Sequence, residues 1–321
     1  MRDFVNCLSA TRRVTFLAAL RLMVPVAALM LTGCSRSPEV IPDSPPEAIQ
    51  TVLDGLEDNR PQVVWNALPP GYQTDLRELL SLFCANMDPD LYDKTFRILG
   101  KAVQVLDKKE DYIFNSPMAL NTPLIESNIG NHWKEVVGIM KSIVTSDIST
   151  IATLSQIEPG DFLASTGHKV MEDLQDLSRR SQRSGSRDPW ESLNQALEDA
   201  RIEFITSTNN QGTLKFTAAD DSIEEVALTE VEGRWIPSEM ARSWEASMAQ
   251  AKAGMERLNG PEIQKVTPIL SMVLATVERS VDSLLKARSQ KEFDKILNGL
   301  SSVREMIEPM GEAFAPEAPR G

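Results

Sequence analysis

The chain has 321 residues, 42% of them hydrophobic and 25% charged, which is the balance of a folded chain with a sizeable core and not of a disordered one. Its formal net charge is −13; Arg2, Arg12, Arg13 and Arg21 against Asp3 give the first 33 residues +3 and leave −16 on the rest. So acidic a body repels nucleic acid and anionic lipid surfaces, because binding phosphate needs clustered Lys and Arg.

In chain order, residues 1–21 are basic and residues 22–31, LMVPVAALML, are a short apolar run. That run is too short to cross a bilayer, which takes roughly 20 apolar residues as a helix, and Pro25 lies inside it. Basic head, apolar middle and small residues at the exit form the pattern of a secretory signal peptide. The LTGC that follows, with Leu31 three positions before Cys34 and Gly33 directly before it, resembles the lipobox of bacterial lipoproteins. The resemblance implies a diacylglyceryl group on the Cys34 thiol and cleavage between Gly33 and Cys34, often followed by acylation of the new amino terminus with a fatty acid such as palmitate. A mature chain of 288 residues would then be held to a membrane through lipid on Cys34. The leader accounts for Cys7 and lipid for Cys34, so Cys84 alone remains and no disulfide forms within the mature chain. Ser35 is not the Asp that enteric-type sorting uses for inner-membrane retention. The implied location is therefore the cell envelope, anchored to the outer membrane or else the cytoplasmic membrane, with the body facing the periplasm or the exterior.

Residues 35–46, SRSPEVIPDSPP, are rich in Ser and Pro and read as a tether. From Glu47 the apolar spacing is helical: Ala48, Val52 and Leu56, then Leu76, Leu80, Cys84 and Met87, then Phe96, Leu99, Val103 and Leu106. Trp133, Val136, Val137, Met140 and Val144 mark the next helix. Asp161 in EPGD (158–161) is placed to cap the one carrying Leu163, Val170, Leu174 and Leu177. The polar stretch SRRSQRSGSR (178–187) reads as a boundary or loop, followed by a short helix at 190–200. The period then changes to two, and RIEFITST, TLKFTAA and EEVALTEVEGRW read as three strands joined at NNQG and ADDS. The last third returns to helix, with a stripe of Met240, Trp244, Met248, Ala251, Met255 and Leu258. A helical hairpin follows, its first arm running from Ile263 through Val281 and Leu284 and its second from Phe293 through Leu300 to Met310. Pro268 should start or kink its helix with Thr267 as the cap, and Ser289 with Glu292 spells a capping box.

Catalytic grammar is nearly empty: no HExxH, GxSxG, GxxxxGK[ST] or GxGxxG occurs. His132, at a helix start within reach of Glu135, is expected to be a surface or cap-adjacent histidine, and His168 a surface partner of Glu172 four residues on. Cys84 sits among Leu76, Leu80, Phe83 and Ala85, the surroundings of an inert thiol. Two acidic groups invite calcium: Asp88, Asp90 and Asp93, and Asp220, Asp221, Glu224 and Glu225. The first lacks the glycine and terminal Glu of an EF-hand loop and fits Asp88 capping a helix with Pro89 in its first turn. The second fits a solvated hairpin turn. The methionine stripe around Trp244 is expected to be core and not a partner groove.

The fold expected is therefore α+β, predominantly α-helical, with one small three-stranded antiparallel meander near residues 201–236. Its parts are a signal peptide at 1–33, a lipidated Cys and tether at 34–46 and a helical region at 47–180. A helix, meander and helical hairpin follow at 188–310, one domain with the preceding region or separate from it, with a tail at 311–321. A further, weaker resemblance is to NTF2-like domains. It is carried by SPPEAIQTVLDGLEDNRPQVVWNALPPGYQ and VALTEVEGRWIP, although some 140 helical residues between them exceed that pattern. The helix-rich body is similar to that of uncharacterised bacterial lipoproteins. The function these features favour is a non-enzymatic, membrane-anchored envelope module that binds a protein or another envelope component. The alternatives are a small-molecule carrier and a hydrolase or metal-dependent enzyme. No catalytic residue, cofactor or metal ligand is assigned.

Overall fold

The computed structural model describes residues 40–117, 130, 132–183, 201–208, 210–217 and 223–300. Cys34 and its leader, the helix expected at 190–200, Asp220, Asp221, Met310 and the tail lie outside them.

The architecture is α+β and mostly helical. The folded part begins earlier than the expected Glu47. Ile41 is already buried against Ala48 and Val63, and helix α1 spans Pro45–Glu57 with proline in its first turn. Helix α2 (Gln62–Ala67) packs on α1, and the long helices α3 (Pro70–Asn86) and α4 (Pro89–Lys108) follow, then the short α5 (Glu110–Phe114). Asp88 caps α4 as expected, its carboxylate accepting the Leu91 N–H at 2.9 Å. Next come α6 (Trp133–Val144), the single turns α7 (Ile151–Leu154) and α8 (Pro159–Phe162), a π-turn (Leu163–Gly167) and α9 (His168–Arg183). Asp161 is not the cap expected of it: Glu158 holds the N-cap position and Asp161 lies inside α8.

Leu99, expected on the buried stripe of α4, is 45% exposed. The helix instead buries Tyr92 toward Ile148, Ile151, Leu154 and Phe162 on one side, and Ile98 and Val105 toward Val281, Leu284 and Phe293 on another. Helix α11 (Pro261–Lys286) starts after Gly260, so Pro268 lies inside it and does not start it. The Pro268 ring has no N–H to give, and the Thr267 hydroxyl just before it donates to the Ile263 carbonyl at 2.9 Å. Helix α12 begins at Gln290; Ser289 Oγ accepts the Glu292 N–H at 3.3 Å, while Glu292 takes the Arg288 N–H at 2.9 Å.

The meander has four strands, not three: β1 (Arg201–Thr208), β2 (Gln211–Thr217), β3 (Ile223–Val231) and β4 (Arg234–Pro237), antiparallel in that order. The third expected strand is a hairpin, because Glu232 (φ 50°) and Gly233 (φ 72°) adopt the left-handed pair that a two-residue type I′ turn requires. Register puts Thr229 opposite Ile236 and Val231 opposite Arg234, and this face packs on α10 (Ser238–Arg257). There Ile236 and Val231 join Tyr72, Trp244 and Met248, with Tyr72 and Trp244 stacked at 3.8 Å. The methionine stripe is therefore core over its first half. Leu214 and Leu228 are buried on the opposite face, which Phe204 and Trp235 share.

The helical and sheet-containing halves are in contact through α3 with α10 and α4 with α11. Lys101 bridges Glu278 at 2.9 Å and Asp282 at 2.8 Å across the second of these, and Lys252 reaches Glu78 at 2.8 Å across the first. The hydrogen bonds it donates to Asp282 and Glu278 hold the Lys101 ammonium above its ordinary value, and the bond from Lys101 holds Glu278 below the usual carboxylate range.

Two helical glycines separate packing from propensity. A Cβ at Gly55 would lie 2.7 Å from Cγ1 of the fully buried Val63, whereas one at Gly254 meets nothing within 4 Å. Gly55→Ala should destabilise by about 1–3 kcal/mol despite alanine's helix propensity. Gly254→Ala should stabilise by roughly 0.5–1 kcal/mol. Urea unfolding followed by circular dichroism measures both, and equal signs would contradict this packing.

Candidate functional site

The side chains with chemical potential are mostly engaged in holding the chain together. Cys84 is half-buried beside Tyr92 and Phe96, and burial pushes its thiol up, which makes it a poor nucleophile. Asp93 accepts the Ile151 N–H at 2.9 Å, so of the first acidic group Asp88 and Asp93 cap helices and only Asp90 is free for solvent. Glu225 is exposed on β3. Among the described residues no group of three or more His, Cys, Asp and Glu side chains is arranged to hold a metal ion.

The two histidines do not meet expectation equally. His132 occupies the N-cap position of α6, as its place before Trp133 suggests, but it is 8% exposed and its Nε2 is buried with no hydrogen-bond partner, Glu135 included. Trp133 next to it donates to the Leu106 carbonyl at 3.0 Å and meets Phe114 edge-on, fastening α6 to the ends of α4 and α5.

His168 is not a surface partner of Glu172. Its Nδ1 lies 2.5 Å from the backbone carbonyl of Asn59. A carbonyl has no proton to give, so Nδ1 carries the hydrogen of this bond. Asn59 itself has φ 57°, a left-handed conformation that Asn tolerates, and its amide donates to Gln175 Oε1 at 2.9 Å. Gln175 in turn donates to the Glu57 carbonyl at 3.3 Å. Two further acceptors in this turn, Asn59 Oδ1 and Gln62 Oε1, are buried without partners.

Local sequence explains how this cluster arises. The turn DNRP (58–61) ends α1, and Pro61 is packed so closely against Gly167 that a Cβ there would lie 3.2 Å from Pro61 Cγ. The π-turn Leu163–Gly167 takes up the extra residue this approach demands and swings His168 toward Asn59. π-turns and left-handed non-glycine residues gather at functional sites. Together with an imidazole held by a backbone carbonyl, they make this the strongest polar site among the described residues. The Asn before Arg-Pro and the Gly before His are the signals that would have found it in the sequence.

A second junction fixes the neighbouring helices. Arg77 makes a two-pronged contact with Glu158, Nη2 to Oε1 at 2.6 Å and Nε to Oε2 at 2.9 Å. Its guanidinium also lies 5.1 Å over the Trp65 ring, and Gly160 leaves room for that ring. Both charges are about two-fifths exposed, so the pair sets geometry more than stability.

No known protein family, curated protein or solved structure matches the chain.

Tyr92 offers a direct check on the core beneath these helices. Its hydroxyl donates to the Ile148 carbonyl at 2.6 Å, and burial pushes its phenol up from 10.0 to about 12. The neutral form is favoured in the fold, so this contribution to stability is complete below pH 10 and is lost as pH rises through about 12. The Tyr92 share of the urea midpoint should stay level up to pH 10 and then fall. Tyr92→Phe should lower the midpoint at neutral pH and flatten the fall between 10 and 12; an unchanged slope would contradict the assignment.

Proposed function

We propose that this chain is a lipid-anchored protein of the cell envelope whose body is a non-enzymatic binding module for an envelope protein or another envelope component. One observation carries the reading: the lipobox-like LTGC ends a short apolar leader only seven residues before Ile41, where the chain is already fastened into the core. A signal anchor of this kind puts the body outside the cytoplasm, and two or more acyl chains hold where one does not.

Three features support the binding half. The candidate nucleophile Cys84 has a thiol that burial keeps protonated, and Asp88 and Asp93 are committed to helix ends. The acidic body suits neither nucleic acid nor an anionic surface. Helix α11 exposes Ile269 and Met272, one turn apart, and exposed methionine adapts to partner surfaces. Under this reading the Asn59–His168 cluster is a structural latch between α1 and α9.

The anchor is tested by expressing the full chain with and without Cys34→Ala. The unaltered protein should lose residues 1–33, gain the mass of acyl chains on Cys34 and partition into detergent. The variant should stay unprocessed and leave the detergent phase. A variant processed and partitioned like the parent would overturn the reading.

A further inference from the structure

The stretch between the lipid and the body is short enough to decide which side of the body meets the membrane. Ile41 is seven positions after Cys34, and a fully extended chain covers at most about 3.6 Å per residue, so the acylated residue lies within about 25 Å of Ile41. A compact chain of this length has a radius of gyration of about 19 Å and is therefore wider than its tether is long. Ile41 cannot retreat into the interior or slide along it, because it is packed under Ala48 and Val63.

What surrounds that exit point is apolar and aromatic. Val40, the last residue before the anchor point, is 84% exposed. Two residues beyond Ile41, the Asp43 carbonyl accepts the Trp235 indole N–H at 2.9 Å, which ties β4 to the exit. Phe204 meets Trp235 edge-on at 6.1 Å, both rings are half-buried, and Ile205 beside Phe204 is 48% exposed where β1 bulges. Helix α1 itself packs on β1. An indole with its N–H already bonded and its ring only half-buried suits the boundary between headgroups and acyl chains.

We propose that this surface, built from Val40, Phe204, Ile205 and Trp235, rests on the lipid bilayer, a conclusion that depends on acylation of Cys34. Asp43, Glu47 and Glu203 stand exposed around it, so the lipid surface it fits is zwitterionic and the contact is shallow. The opposite end of the molecule then faces away. Helix α3 starts at Pro70, its second residue Gly71 is held to the β3–β4 hairpin by Glu232, and its 17 residues carry the chain about 25 Å from there. Just beyond its far end Lys94 donates to the Ser271 carbonyl, next to the exposed Met272.

The test uses the full acylated protein carrying Cys84→Ala, with a fluorescent probe on a single added cysteine at Val40, Ile205 or Met272. Each is reconstituted on phosphatidylcholine vesicles, and flotation, quenching by a lipid-borne quencher and quenching by an aqueous one are read on the same sample. Probes at Val40→Cys and Ile205→Cys should be quenched several-fold more by the lipid-borne quencher than the probe at Met272→Cys, with the order reversed for the aqueous one. Protein that floats but shows equal quenching at all three positions overturns the orientation alone. Protein that fails to float overturns acylation and the orientation with it. An Ile205 probe shielded from both quenchers means that a protein or a second copy covers the surface, which also overturns the proposal. Brominated phosphatidylcholine should quench tryptophan emission of the otherwise unaltered chain, and Trp235→Phe should abolish most of that quenching; retention of it counts against the surface independently of any added cysteine.

Discussion

The junction that the rest of the fold depends on is made by one turn of two residues. Glu232, in the β3–β4 hairpin, extends its carboxylate to the Gly71 N–H at 2.6 Å, at the start of α3. Two residues later Arg234 donates to the Asn66 carbonyl at 3.2 Å, near the end of α2. Each charge thus meets the helix end of opposite polarity, the anion at exposed N–H groups and the cation at exposed carbonyls. At the break between α2 and α3, Leu68–Pro69, the Gln73 amide donates to the Trp65 and Leu68 carbonyls at 2.9 and 3.1 Å, but no local side chain caps the start of α3. The hairpin supplies what the local sequence lacks, and it can do so only because Glu232 accepts a left-handed φ and Gly71 has no Cβ in the way.

Once that clamp is in place the rest of the packing has a direction. Tyr72 is one residue past Gly71, so the clamp delivers its ring to Trp244 and fixes α10 along α3. Asp75, one turn further, accepts the Trp244 indole N–H at 2.8 Å and draws Lys252 within 3.4 Å. Helix α3 then feeds α4, which lies between two apolar clusters and is held to α11 by Arg97, Lys101, Glu278 and Asp282. Few cations are available in so acidic a chain, and these are spent where two helices of distant sequence must lie side by side. Their hydrogen bonds are partly exposed, so apolar burial supplies most of the stability while the ion pairs select the register.

What could be read from the sequence and what could not divides along contact distance. The Asp88 cap, the Ser289–Glu292 start and the helix and strand periods are relations within four residues, and a single stretch contains all the information they need. Leu99 is exposed although it shares the apolar spacing, because the 3.6-residue rule presumes one buried face, whereas α4 has neighbours on two. His168 has a plausible partner at Glu172 one turn away, yet its ring turns to a carbonyl 109 residues distant, since the Pro61–Gly167 contact places the two chain segments together. The Glu232–Gly71 clamp spans 161 residues, and nothing near either residue announces it. The β3–β4 turn was the exception that short-range reasoning missed: Glu232-Gly233 has a turn glycine, but continuous β propensity on both sides hid it.

The same division bears on function. Reactive residue types are sparse in this body, and the fold uses several of them as structural connectors: an imidazole bonded to a turn carbonyl, carboxylates at helix starts, a thiol against two aromatic rings. Connectors of this kind leave the outer surface as the part of the molecule free to vary in purpose. On that surface the apolar residues are not evenly spread. Val40 and Ile205 lie where the chain enters the fold, beside a tryptophan bonded to that entering segment, and Ile269 and Met272 lie on α11, beyond the far end of α3. Long-range contacts join the two regions step by step: Trp235 to Asp43 at the entering chain, Glu232 to Gly71 at the start of α3, and Lys94 to Ser271 on α11 beside Met272, so the segment that enters the fold and the helix that bears the second group are braced through the same long helices.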